Sequence, residues 1–310
     1  MSGKGNLASA DTVGDQAHRQ QARPRGWQFI DLAELGRNTA RSYTAALLRI
    51  VLYPWAIAVL LGLAVAIGTV VIHRPPGSMD PIVGMSAQYG LIIVAGLAVL
   101  RSVERSHQRP WRSLVAADLA IDWRRLAIGG GVQLAILVGQ LALVHALTGW
   151  PWRFTIPAAL PLFALAVCLI PLQAASEEIL FRGYLTQALG RIVRSRVLIA
   201  ATVGVVFGVL HLSAYGPLTV PYFFVLSLIF SLVSLRDERL ELVIGGHGAM
   251  NLFAFGAANT GLVGASIGGI EEGAVPFNWV AIVVLMVNGA LFYGVTRLLV
   301  RLFCERRAAP

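Results

Sequence analysis

The chain has 310 residues, of which 56% are hydrophobic and only 13% are charged, and its mean hydropathy is +0.70. This composition excludes an ordinary soluble domain and indicates a protein that lies largely within a membrane, surrounded by lipids. The formal net charge of +9 invites a nucleic-acid partner, but the basic residues flank apolar runs, so we expect membrane topology and no nucleic acid.

The N-terminal segments are more polar than the rest of the chain. Residues 1–26 are rich in Gly, Ala, Gln and Arg, which predicts a disordered cytoplasmic tail. Residues 27–49 mix aromatic and aliphatic side chains with arginines, a pattern typical of a helix that lies at the membrane surface. Ordinary packing beside the membrane explains this second pattern equally well.

Eight apolar runs follow, each close to the roughly 20 residues that a helix needs to cross the hydrocarbon core. They lie at about 51–72, 82–100, 126–147, 155–176, 197–213, 218–235, 240–258 and 276–296. The stretch 197–235 has no charged residue and is too long for one crossing, so we place a turn at Gly216-Pro217. The sequence therefore predicts an all-α, polytopic membrane bundle of about eight transmembrane helices over residues 50–303.

The basic residues predict the orientation of this bundle. Twenty-two of the 25 fall on one side of the predicted topology, in the terminal segments and in alternate loops, whereas Arg74 and Arg153 fall on the other side. Cytoplasmic loops carry the excess of Lys and Arg in membrane proteins. We therefore predict a multi-pass protein of the cell membrane with both termini in the cytoplasm.

The first polar motif is Glu177-Glu178 followed by Arg182, at the end of an apolar run. On a helix, Glu178 and Arg182 share one face and can form an ion pair, whereas Glu177 projects about 100° away. An arginine beside one of two adjacent acids gives the carboxylates different proton affinities, and such pairs take different roles in catalysis. An interfacial salt bridge is the structural alternative for this motif alone.

Two further motifs each place a histidine on a helix face. Phe207 precedes His211 by four residues, and His247 precedes Asn251 by four. A single intramembrane histidine is more often a packing residue, but ionisable groups that accompany an acidic pair within a membrane indicate a functional site. We therefore expect the three motifs to form one catalytic centre within a core at about 155–260.

In their order and spacing, the three motifs resemble those of the CAAX-protease and bacteriocin-processing family, also called the Abi or type II CAAX prenyl endopeptidase family. The resemblance implies an eight-helix membrane fold and an intramembrane endopeptidase. It covers roughly residues 155–260, and outside that region the chain matches the family only in being helical and apolar.

The resemblance also implies a role for each residue of the centre. The six residues are Glu177, Glu178, Arg182, His211, His247 and Asn251. The first acid would be the general base that activates a water, with the second acid as its partner and the arginine orienting both. The histidine of the second motif would help to hold the water. Both residues of the third motif would stabilise the oxyanion of the tetrahedral intermediate.

A metal ion is an open alternative at the same residues. Glu177, His211 and His247 can bind Zn²⁺ and leave one coordination position for water. Members of the family have been described both as metalloproteases and as metal-independent glutamate proteases. Asn251 is a poor zinc ligand and a good oxyanion donor, which favours the metal-independent version, and zinc stays as the alternative.

The leading functional prediction is an endopeptidase that hydrolyses a peptide bond of a membrane-anchored or prenylated protein or peptide at the cytoplasmic side. A non-proteolytic membrane scaffold or a bacteriocin-immunity protein on the same fold is the alternative. A transporter with an intramembrane proton relay is a third hypothesis, although the sequence has no internal repeat to support it.

Overall fold

The computed structural model describes residues 27–71, 81–149, 160–212, 217, 219–260 and 279–305. Within these ranges the regular structure is helical, and the only β-type pairing is a single bridge between Ala116 and Arg239. The predicted all-α class is therefore confirmed. The predicted tail at 1–26 lies outside the described residues, as does Gly216 of the predicted turn at Gly216-Pro217, whereas Pro217 is described and lies in a turn.

Each apolar run of the sequence forms a helix because a chain in lipid must satisfy its backbone hydrogen bonds internally. The helices are α1 (Ala40–Val71), α2 (Pro81–Arg105), α3 (Trp123–Thr148), α4 (Leu160–Glu178), α5 (Arg196–Leu210), α6 (Thr219–Asp237), α7 (Glu241–Thr260) and α8 (Trp279–Val300). A π-helical segment, Ile179–Leu185, and a last turn, Thr186–Leu189, continue α4, and a π-helical segment, Arg301–Glu305, continues α8.

Six of these helices are long and apolar enough to cross a membrane, namely α1 to α4, α6 and α8. Helix α5 has 15 residues and is about 22 Å long, shorter than the ~30 Å hydrocarbon core. Helix α7 has 20 residues, but its polar site residues lower its hydropathy. The predicted helical membrane bundle is confirmed, whereas the predicted count of eight spans is approximate.

The segment 27–49, for which the sequence predicts an interfacial helix, is divided in the structure. Residues 27–35 form short helical turns, and residues from Ala40 onward belong to α1 and to a candidate membrane span. Thr39 and Ser42 begin α1 with a reciprocal cap, since the backbone N–H of each donates to the hydroxyl of the other. A location of residues 27–35 at the membrane surface stays a prediction.

Helix α7 is held between α3 and α4 by close contacts at glycines. A Cβ atom added to Gly129 of α3 would overlap the backbone of Leu242, and one added to Gly245 of α7 would overlap the backbone of Leu126. Such small residues let membrane helices approach closely. On its other side, α7 places Gly248 against Pro171 of α4. This packing puts the third polar motif beside the acidic motif.

A buried polar network anchors the end of α4 to the loop between α2 and α3. Arg109 donates hydrogen bonds to the carbonyl of Leu32, the hydroxyl of Ser113 and Oε1 of Gln187, at 2.7–3.0 Å. Burial lowers the pKa of Arg109 to about 10, so this guanidinium is still charged at neutral pH. Gln187 in turn donates to the carbonyl of Ser113 at 2.7 Å. The last turn of α4 is therefore fixed by hydrogen bonds as well as by packing.

Candidate active site

The acidic motif lies at the junction between the regular part of α4 and its π-helical segment. Glu178 is the last residue of the regular helix, and Arg182 lies within the π-helical segment. Such segments are rare and occur frequently at functional sites. Nη1 of Arg182 lies 3.0 Å from Oε1 of Glu178, and both side chains are fully buried. The ion pair predicted from their spacing is confirmed.

His247 of α7 joins this ion pair from the neighbouring helix. Its Nδ1 lies 2.7 Å from the same Oε1 of Glu178. Because that oxygen already accepts a hydrogen bond from Arg182, the Nδ1–H of His247 is the donor. A carboxylate that accepts from one ring nitrogen fixes the orientation of the imidazole. The other ring nitrogen, Nε2, consequently faces Glu177, whose Oε2 is 3.6 Å away.

The two acids of the motif have different environments. The side chain of Glu177 is 12% exposed, whereas that of Glu178 is 0% exposed. Nε2 of Gln173 donates to Oε1 of Glu177 at 2.6 Å, and Nδ2 of Asn251 donates to Oε1 of Gln173 at 3.1 Å. Asn251 therefore reaches the acidic motif through Gln173, and Glu177 is the more accessible carboxylate.

Aromatic rings take the place of further hydrogen-bond partners around Arg182. Its Cζ atom lies 4.6 Å from the ring centre of Phe207 and 5.6 Å from that of Phe230. Among the described residues, Nε and Nη2 of Arg182 have no hydrogen-bond partner. The attraction between the guanidinium and the faces of the two rings stabilises the buried charge instead. Phe207, from the second motif, thus packs on the arginine of the first.

His211 lies just after the last residue of α5 and borders the same phenyl ring. Its Nδ1 is 2.7 Å from the carbonyl oxygen of Phe207, and its ring stacks on Phe223 with the ring centres 3.9 Å apart. The ring centre of Phe207 is 4.6 Å from that of His211 and 6.5 Å from that of His247. The structure therefore links His211 to the other motifs through the ring of Phe207, and its Nδ1 is turned toward its own helix.

The zinc ligands suggested by the sequence do not form a three-ligand group in the structure. In the part of the chain that is described, no three His, Cys, Asp or Glu side chains are grouped as a metal ion requires. Both ring nitrogens of His247 face carboxylates, and Nδ1 of His211 faces a backbone carbonyl. Zinc as a cofactor stays a prediction.

Gln173, Phe223 and Phe230 contact residues of this centre and are not included in the motifs. Gln173 precedes Glu177 by four residues and lies on the same helix face, so its spacing is a signal that could have identified it. Phe230 comes from α6 and meets Arg182 only through tertiary packing. No local pattern in the sequence indicates that contact.

Comparison with known proteins agrees with this geometry. Residues 157–253 match the family model described as "Type II CAAX prenyl endopeptidase Rce1-like". This region of the chain is Rce1-like. It contains all three polar motifs, and the family recognised from their order and spacing is thereby confirmed.

One curated relative is also similar to the chain. It is YyaK of Bacillus subtilis (strain 168), a protein described as uncharacterized, with 26% identity over 182 residues. The alignment covers 56% of this chain and 61% of YyaK, so the chain spans about three fifths of the length of that relative. No solved structure matches the chain. The similarity to a family described as endopeptidases thus concerns residues 157–253.

Proposed function

We propose that the chain is an intramembrane endopeptidase that hydrolyses a peptide bond of a membrane-associated protein or peptide. The observation that carries this proposal is the unequal pair of carboxylates beside one imidazole. Glu178 is buried against Arg182, while the more accessible Glu177 faces His247. The Rce1-like region supports a hydrolase, since the matching family model describes endopeptidases.

Glu177 is the proposed general base. Its Oε2 and Nε2 of His247 are 3.6 Å apart, so one water molecule can lie within hydrogen-bond reach of both atoms. Transfer of a proton from this water to Glu177 leaves a hydroxide that attacks the carbonyl carbon of the substrate. A positioned base of this kind typically accelerates a reaction by roughly 10²–10⁴-fold. The proton then passes from Glu177 to the departing amine.

His247 and Asn251 are the proposed donors to the oxyanion. The proposed donor of His247 is its Nε2–H, because Nε2 faces the space beside Glu177 where the negative charge develops. Asn251 has a second amide N–H besides the one that it donates to Gln173. His211 is proposed to help position the water.

The centre is proposed to open toward the cytoplasm. The distribution of basic residues favours cytoplasmic termini, which places the start of α7 on that side. His247 is six residues from Glu241, the first residue of α7, or about 9 Å along the helix. A substrate segment at the inner membrane surface therefore needs only a short path to the catalytic residues.

Replacing Asn251 with alanine is expected to lower kcat by roughly 10²–10³-fold, as removal of one oxyanion donor commonly does, with little change in Tm. Asn288→Ala is a matched control, because Asn288 donates to Gln140 between α8 and α3, outside the centre. Steady-state kinetics of both variants in liposomes measure the difference. An unchanged kcat in Asn251→Ala, or an equal loss in the control, contradicts the assigned role.

The experiment that tests the function itself is quantitative analysis of protein termini in cell membranes. Cells lacking the gene are complemented with the wild-type chain, with Glu177→Gln or with an empty vector. The proposal predicts that new peptide termini appear with the wild-type chain and with neither of the others. Rescue of a biological phenotype by Glu177→Gln, without new termini, supports a scaffold or immunity protein instead.

A further inference from the structure

A basic cavity lies between the start of α1 and the end of α2. It has a volume of about 410 Å³, and none of its lining residues belongs to the catalytic centre. Four arginines line it: Arg37, Arg41, Arg49 and Arg105. Hydroxyl groups from Thr39, Ser42 and Ser106 complete its polar lining. The cavity therefore offers many hydrogen-bond donors within a small volume.

Among the described residues, no carboxylate balances the positive charge of this cavity. No acidic side chain of the described residues lines it, and Glu104, adjacent in sequence to Arg105, is exposed outside it. Guanidinium groups that converge without a carboxylate repel one another, and a bound anion removes that repulsion. Their planar arrays of N–H donors match the oxygens of a phosphate group in particular. The lining thus favours a phosphate ligand.

Part of the cavity is held in place by the fold. Arg49 of α1 donates a hydrogen bond to the hydroxyl of Ser106, at the end of α2, which joins the two helices. Ser42 is buried and donates to the carbonyl of Thr39 at 2.8 Å. Arg37, Arg41 and Arg105, in contrast, are exposed. Two fixed groups and three reachable cations suit a ligand that enters from the membrane surface.

The surface next to the cavity identifies the source of the phosphate. Within four turns of Arg41, α1 exposes a series of large apolar side chains, including Leu47 at 61% and Trp55 at 65%. This part of α1 belongs to a candidate membrane span whose most apolar stretch has no buried residue. A phosphate group with attached acyl chains satisfies both surfaces, whereas free phosphate satisfies only the cavity. Anionic lipids are also attracted by clustered arginines at the membrane surface.

We propose that this cavity binds the phosphate headgroup of an anionic phospholipid, with the acyl chains of that lipid along the exposed apolar face of α1. The bound lipid bridges α1 and α2 through Arg41 and Arg105. It is a site separate from the catalytic centre, and it does not depend on the proposed peptidase activity.

The test is native mass spectrometry of the purified full chain, titrated with phosphatidylglycerol or with phosphatidylcholine. The wild-type chain is expected to bind phosphatidylglycerol more tightly than phosphatidylcholine. In the double variant Arg41→Gln/Arg105→Gln, the Kd for the first phosphatidylglycerol is expected to rise by about tenfold or more. The charge-conserving variant Arg41→Lys/Arg105→Lys is expected to recover part of this affinity.

The matched control is Arg101→Gln/Arg124→Gln. It removes one exposed charge near the end of α2 and one at the start of α3, and neither residue lines the cavity. Its Kd is expected to change by less than about twofold. Equal weakening in the two glutamine variants shows general surface attraction and overturns the site. Displacement of the lipid by millimolar inorganic phosphate overturns the lipid as the ligand in favour of a free anion.

Discussion

Replacing Glu177 with glutamine is expected to lower kcat/KM for peptide-bond cleavage by roughly 10³-fold or more, because the amide cannot accept the proton of the attacking water. Glutamine has the same shape and still accepts the hydrogen bond from Gln173. Glu177 is also not part of the fully buried ion pair, so Tm is expected to change by only a few degrees. The loss is therefore expected in the chemical step rather than in folding.

This prediction is measured on purified protein in liposomes, with a substrate identified from the analysis of membrane termini. Glu104→Gln is the control, since it removes an exposed carboxylate of α2 outside the centre. Wild-type rates are expected for the control. Cleavage by Glu177→Gln at more than about a tenth of the wild-type rate would remove Glu177 as the base.

The second large effect is expected on stability. Replacing Glu178 with leucine leaves Arg182 buried without a carboxylate and removes the acceptor of His247 Nδ1. Breaking a buried ion pair by removing one partner typically costs about 3–5 kcal/mol of unfolding free energy. Activity is expected to fall as well, because the orientation of His247 is no longer fixed.

A second substitution distinguishes the contribution of the ion pair to stability from that of side-chain packing. The double variant Glu178→Leu/Arg182→Met removes the orphaned charge and is expected to recover at least about 1 kcal/mol relative to Glu178→Leu alone. Reversible unfolding in mixed micelles, titrated with a denaturing detergent, measures each free energy. If the double variant loses as much unfolding free energy as Glu178→Leu and Arg182→Met lose separately and in sum, the two residues do not form a stabilising buried pair.

Hydropathy predicts the fold of this chain well because lipid allows few alternatives to the helix. Where the structure describes them, all eight apolar runs are helices, and the ends of α3 and α6 fall within a few residues of the predicted runs. The number of spans is less accurate because α5 is short. Its residues Gly204 and Gly208 pack against Phe224 and Val220 of α6, and this protein contact is invisible to a hydropathy pattern.

The catalytic centre is predictable wherever its geometry is local. The pair Glu178–Arg182 follows from a spacing of four residues on one helix, and the structure confirms it. The hydrogen bond from His247 to Glu178 depends instead on the packing of α7 between α3 and α4, including the contact of Gly248 with Pro171, which no spacing reveals. The packing of Phe207 on Arg182 is non-local for the same reason.

The central claim is that Glu177 activates a water molecule rather than attacking the substrate itself. Single-turnover cleavage in water enriched in oxygen-18, followed by mass spectrometry of the product and the enzyme, tests it most directly. The account predicts one oxygen-18 atom in the new carboxyl group of the product and none in Glu177. An unlabelled product together with a labelled Glu177 would contradict it, since the carboxylate would then have formed a covalent intermediate.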